Sequence, residues 1–325
     1  MKKTLLLLGL WLAAGRCAFG CINEYHVTLK GDVVHDYEGL PRFVRAFDRE
    51  ACRKYLDTVD LDHPEQYNFK QQSDIAVQLA RLGEYGPSLR MLQRLYRQHP
   101  GEYALAANLG TLYELNGKPD SALFYIRRGM ALNPTAHQGS EWVHVRILQA
   151  KLNGQKDPDW LAHHAVLGIH GGAKKDTLEG YYPYLDTVMH ITYQLQERIP
   201  FTPAPDRLMA RLLNEYADLL ARELSMESAF TAYQMALVYD PADADGNRRK
   251  LSELTPLLKK AGIAEPDLEY YFPTDPQAAA SREAAAGARA AGSRSFAYGY
   301  ALAGGALLLG GIFYFFRRGR HESEA

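Results

Sequence analysis

The chain has little cysteine, no excess of either charge, and none of the short motifs that mark a catalytic or cofactor site. Its 37 Lys and Arg nearly balance 38 Asp and Glu, for a net charge of −1 over 325 residues. No basic field is therefore available to attract a phosphate backbone, and nucleic acid is not an expected partner. There is no Gly-x-Ser-x-Gly element, no His-Glu-x-x-His pair and no dinucleotide fingerprint. The glycine-containing stretch 168–176 lacks the spacing of a phosphate-cradling loop, and no buried strand precedes it. His163, His164 and His170, with Asp159 nearby, lack a metal-ligand spacing, and no cysteine assists them. The sequence thus predicts no enzyme activity, no cofactor and no metal.

What is present at the two ends concerns a membrane. Lys2 and Lys3 precede the apolar run from Leu5 to Ala14, and Ala18-Phe19-Gly20 has the small-x-small form of a cleavage site. Residues 1–20 are therefore expected to be a secretory signal, cut before Cys21. Cys17 would leave with it, so the mature chain would keep Cys21 and Cys52. Ala18-Phe19-Gly20-Cys21 loosely resembles a bacterial lipobox, with Ala18 where Leu is usual. Cys21 is then either lipidated or free to form a disulfide with Cys52 in an oxidising compartment, and the two outcomes exclude each other. Cys52, at helical spacing with Ala51, Tyr55 and Leu56, also fits a small buried apolar residue.

At the other end, 296–316 is an uncharged run of 21 residues. At about 1.5 Å of rise per residue it matches roughly 30 Å of bilayer hydrocarbon, so it is expected to be a single transmembrane helix. Phe296, Tyr298 and Tyr300 sit at one margin and Phe313 to Phe316 at the other, as aromatic belts do. Small residues four apart, such as Gly299/Ala303 and Ala306/Gly310, permit a homodimer through this helix. Arginines flank the span on both sides, so charge alone orients it weakly; the signal breaks the tie. The body is expected outside the cytoplasm, periplasmic or extracellular, with 317–325 as a cytoplasmic tail.

Between the ends the chain repeats itself. A shift of 34 residues pairs Gly83 with Gly117, His99-Pro100 with Asn133-Pro134, and Leu92 with Ile126. Such a period predicts helix hairpins, each unable to bury its apolar face alone and so stacked on its neighbours. Small residues such as Gly110, Ala122, Ala217 and Ala229 would let paired helices approach, and Pro100, Pro134 and Pro241 would end each second helix.

These residues resemble tetratricopeptide repeats. In 103–136 the family's signature positions hold Leu109-Gly110, Tyr113, Gly117, Ala122 and Pro134; in 69–102 they hold Ala76, Leu79, Gly83, Tyr85, Leu92, Leu95 and Pro100, with Ser88 in place of the usual Ala. A third copy, 210–243, matches at Ala217, Leu220, Ala229, Tyr233, Ala236 and Pro241 but carries Leu224 where the inter-helix glycine belongs, which puts its turn in question. The resemblance implies an all-α superhelical array whose first helices line a groove able to take a peptide or a partner helix. Mapped onto this chain, the groove-facing positions are Lys70, Ser73, Val77 and Arg81, then Thr111 and Glu114, then Arg211, Asn214, Asp218 and Arg222. The set is mixed in charge and lacks the Lys and Asn pairing of the family's chaperone-tail binders.

The remaining segments complete the expected layout. Residues 21–64 form a covering segment, with a short strand pair in 22–34 and a helix over 41–56; 65–262 is the repeat domain; 263–295 is a linker. Glu141 to Leu152 and 157–167 read as a further hairpin, and Tyr184 to Arg198 as a helix with Leu185, Val188, Met189, Thr192 and Leu195 on one face, closed by Pro200. Asp243 or Asp245 caps a last helix, kinked at Pro256 and ended by Gly262. The whole predicts an exported, membrane-anchored scaffold that holds a protein or peptide partner in a bacterial envelope. The alternative is an envelope enzyme, or its regulatory subunit, in which the repeats are an accessory.

Overall fold

A computed structural model describes residues 26–34, 38–169 and 184–274. The signal, Cys21, most of the 168–176 loop, the span 296–316 and the tail lie outside the described residues. Within them the protein is mostly helical, and no helix is long and apolar enough to cross a membrane.

Two consecutive hairpins open the array. The first pairs α2 (Phe69–Arg81) with α3 (Tyr85–Gln98), and the second pairs α4 (Tyr103–Leu115) with α5 (Pro119–Leu132); α1 (Arg49–Leu56) packs on α2. Asn68 starts α2 with a reciprocal cap, its side chain accepting from the backbone N–H of Gln71 while Gln71 reaches back to the Asn68 N–H. The turns between partners pass through Gly83 and Gly117, at φ of +90° and +71°, a region that costs an L side chain strain. Ala76, Ala80, Leu92, Leu95, Leu105, Leu109 and Leu112 form one apolar cluster across both hairpins. At about 1.5–3 kcal/mol per buried large side chain, this shared layer explains why neither hairpin stands alone. Ser88 is buried because its hydroxyl donates to the Ala76 carbonyl at 2.6 Å, so the polar atom is satisfied where the family's Ala has none.

The next pairing skips a stretch of chain. Helix α6 runs from Glu141 to Lys156, straight through Asn153-Gly154, and is followed only by the single-turn α7 (Trp160–His163). It packs most on α5 and next on α8 (Leu185–Arg198), which stands where the second half of the expected hairpin would be. The segment 157–167 thus does not make the second half of the hairpin. It runs instead to α9 (Arg207–Glu223), where Glu215 accepts hydrogen bonds from the backbone N–H of Val166 and Leu167 at 2.6 and 2.9 Å. On α8 the buried stripe is Leu185, Val188, Ile191 and Leu195; Met189 lies outside it, exposed.

Helices α9 and α10 (Met226–Tyr239) form the third hairpin and the centre of the largest core, with Tyr216 among the fully buried side chains. Its turn needs no glycine: Leu224 has φ −135° and is wholly buried, and Ser225 caps α10 by accepting from Ser228 N–H. Helix α11 (Asn247–Ala261) covers this hairpin in one piece through Pro256. Asp243 caps it, and Gly262 ends it at φ +75°.

The front and back of the body meet. Strands β1 (His26–Val27) and β2 (Val33–Val34) pair antiparallel, and the His26 ring is hydrogen-bonded through Nδ1 to Glu227 of α10. The expected helix over 41–56 begins only at Arg49. Before it, Phe43 is fully buried with its N–H on the Tyr271 carbonyl, and Arg45 donates to the Phe272 carbonyl. Phe272, after α12 (Leu268–Tyr271), is buried against Tyr239, so residues 263–273 belong to the packed body rather than to a linker. Burying Phe43 and Phe272 in the same core is worth about 1.5–3 kcal/mol for each ring, which ties the two ends of the body together. Cys52 is 5% exposed.

Candidate functional site

The first helices of the two opening hairpins do line a concavity, but α6 and α8 close its far side. The resulting cavity measures about 440 Å³. Val77, Ala80 and Arg81 come from α2; Asn108, Thr111 and Glu114 from α4; Glu141, His144 and Lys151 from α6; Gln194, Glu197 and Arg198 from α8; and Phe47 with Phe201, Thr202, Pro203 and Asp206 completes the rim.

Glu114 is its electrostatic centre. Arg198 holds it bidentately, Nη1 to Oε1 at 2.6 Å and Nη2 to Oε2 at 3.1 Å. Lys151 Nζ lies 2.7 Å from Oε1, and His144 Nε2 lies 2.6 Å from Oε2. Burial alone would disfavour the carboxylate, yet Arg198, His144 and Lys151 outweigh it and hold its pKa well below the usual carboxylate range. The network continues through His144 to Glu141, whose Oε1 accepts from the Tyr103 hydroxyl and lies 2.8 Å from His137 Nδ1. Burial works against this carboxylate too, and again its partners win, His137 and Tyr103 by hydrogen bonds and the His144 ring 3.7 Å away by its charge, pulling it down. His137 is held at φ 49°, ψ 40°, and its ring stacks on Tyr193 of α8 at 5.4 Å. A non-glycine residue in that left-handed region needs its surroundings to hold it.

Beyond α8 the chain crosses the open end of the concavity. Phe201 packs edge-on to Phe47 at 4.5 Å and against the cluster of the first two hairpins. The same segment is tied to the third hairpin, because Tyr239 donates to the Thr202 carbonyl and Asp206 N–H donates to the Tyr239 carbonyl.

The groove-facing residues mapped from the sequence divide into two groups. Val77, Arg81, Thr111 and Glu114 line the cavity; Ser73 lies beside it, accepting from Asn108 at 3.4 Å, and Lys70 stays exposed near Phe69. Arg211, Asn214, Asp218 and Arg222 do not join them. Arg211 pairs with Asp245, Asn214 is buried against Asn247, Asp218 takes Lys250 and the Tyr233 hydroxyl, and Arg222 bonds Glu223. In the third copy that face is used to seat α11. Conversely, Glu141, His144, Lys151, Gln194 and Arg198 were not foreseen, although Glu141, His144 and Lys151 share one face of α6 at helical spacing.

His163 ends α7, and His164 stacks on Trp160 at 4.8 Å. Among the described residues no group of three or more His, Cys, Asp or Glu is placed to hold a metal. No protein-family model matches the chain, and no curated protein sequence matches it.

Proposed function

We propose that the chain is an exported, membrane-anchored scaffold of the tetratricopeptide type, whose body holds a segment of a protein partner in the bacterial envelope. The observation that carries this reading is the cavity itself. It joins three apolar walls, Val77, Leu112 and Phe201, to hydrogen-bonding groups on Asn108 and Thr111 and to charges of both signs. Sites of about 300–1,000 Å³ with a few placed polar groups are the usual dimensions of ligand recognition. A helix about 10–12 Å across would fit only about one turn into such a volume, so an extended segment or a loop tip suits it better than a partner helix. The repeat register of Gly83 with Gly117 and the two antiparallel pairs support the family reading, and the signal and span expected at the ends support the placement.

The test places a photo-crosslinking amino acid at Thr111 of the full-length protein in native membranes, with a second site at Lys259 on the far helix as a control. Adducts specific to position 111 and lost in Val77→Arg are expected. Absence of adducts, or the same adducts from both positions, would overturn the reading.

A further inference from the structure

The outer face of the first two hairpins gathers cations that have no acidic partner among the described residues. Helices α3 and α5 together hold Arg90, Arg94, Arg97, Arg127 and Arg128 against one acid, Asp120, in a chain whose overall charge is −1. Arg90, Arg97, Arg127 and Arg128 are exposed and form no ion pair among the described residues. Several cations elsewhere are matched: Lys54 with Glu50, Arg207 and Arg211 with Asp245, Arg249 with Glu253. The 34-residue register sets these side chains on one surface, since Arg94 and Arg128 occupy equivalent positions and so do Arg90 and Phe124. The two helices meet there, with the Tyr96 and Tyr125 rings 5.3 Å apart. Phe124, between Asp120 and the arginines, is the most exposed large apolar side chain of the described body at 63%. In the third copy the positions equivalent to Arg90 and Arg94 are Thr231 and Met235, both buried, so the pattern is not a property of the repeat.

We propose that this face, Phe124 beside Arg127 and Arg128 on α5 with Arg90 and Arg97 on the neighbouring α3, docks on the surface of an anionic phospholipid bilayer. Unpaired arginines gain from anionic headgroups, and an exposed aromatic among them gains by entering the boundary between headgroup and acyl chain. An acidic protein would complement the arginines but leave Phe124 without a counterpart; a bilayer satisfies both. The proposal rests on the membrane-anchored reading for its nearness to lipid, while its chemistry stands apart from the cavity.

The experiment reconstitutes the full-length protein in vesicles of phosphatidylcholine, with or without one third phosphatidylglycerol, and replaces Phe124 by Trp. Quenching by bromine-labelled acyl chains, compared with the unsubstituted protein, reports the depth of position 124. Extra quenching is expected only with phosphatidylglycerol, falling in 0.5 M salt because exposed charges are screened. Arg127→Glu with Arg128→Glu should abolish it, each lost arginine alone weakening docking by about fivefold. No added quenching with anionic lipid, or quenching indifferent to salt and to the arginines, overturns the proposal. So does protection of the face by polyglutamate but not by vesicles, which assigns it to an acidic protein. A protein that leaves the vesicles without detergent shows instead that the anchor reading has failed; vesicle co-sedimentation of that soluble chain then tests the docking face directly.

Discussion

Arg198, at the end of α8, grips both carboxylate oxygens of Glu114 on α4, at 2.6 and 3.1 Å across 84 residues of sequence. This pair joins the second hairpin to the helix that follows the insertion, so it fixes the width of the cavity as well as its charge. Removing one member leaves the other buried and uncompensated.

Arg198→Met is therefore expected to destabilise the body by about 3–5 kcal/mol, and Glu114→Gln by a similar amount through the stranded guanidinium. Denaturant unfolding of the full-length protein in detergent, followed by the helical signal, measures both. The pH dependence has a definite sign. A carboxyl whose folded pKa lies below its unfolded value near 4.5 stabilises fully above that value and loses its contribution as pH falls toward the folded one. The wild type should lose stability more steeply than Glu114→Gln between about pH 4.5 and 3.

His137 shows the opposite sign. Its hydrogen bond to Glu141 raises its affinity for a proton, outweighing the opposing effect of burial. The stabilisation is present below the unfolded value near 6.5 and fades as pH rises through the higher folded value. An NMR titration of the imidazole should place its midpoint above 6.5, and Glu141→Gln should lower it. An unchanged midpoint in that variant would remove Glu141 as the cause.

Close approach of α4 and α5 depends on Gly110. A methyl built there would lie 2.5 Å from Ile126 Cδ1 and 3.2 Å from the Ile126 backbone nitrogen. Gly110→Ala should cost about 1–3 kcal/mol by overpacking. Adding Ile126→Val relieves part of the side-chain clash but not the backbone approach, so the double variant should recover only part of the loss in Tm.

Placing a glycine in the third turn, where tetratricopeptide repeats carry one, should be harmful. Leu224 has an ordinary negative φ and is fully buried, so Leu224→Gly removes core without relieving strain. A loss of about 3–5 kcal/mol is expected, above the roughly 1 kcal/mol for Gly83→Ala at φ +90°. The comparison of the two variants by thermal unfolding reads this directly.

Local pattern was enough to place the opening hairpins and, around α11, the end at Gly262 and a cap at Asp243 or Asp245, of which the fold uses Asp243; the family resemblance put Val77, Arg81, Thr111 and Glu114 on the concave face. A 3.6-residue spacing, a positive-φ glycine or a capping carboxylate acts within a few residues, where the sequence alone supplies both partners. The pairing of α6 with α8 was not legible, because choosing between two nearby apolar helices depends on how much surface each buries against α9, a sum over distant residues. The same limit hid Arg198 on Glu114, and hid the loss of Arg211, Asn214 and Asp218 to the seat of α11. In the third hairpin the repeat pattern set which side chains point inward, while the covering helix decided that Asn247 and Lys250 would meet them there instead of solvent or a partner. Helix identity here is a property of short stretches; which helix faces the cavity is a property of the whole packed chain.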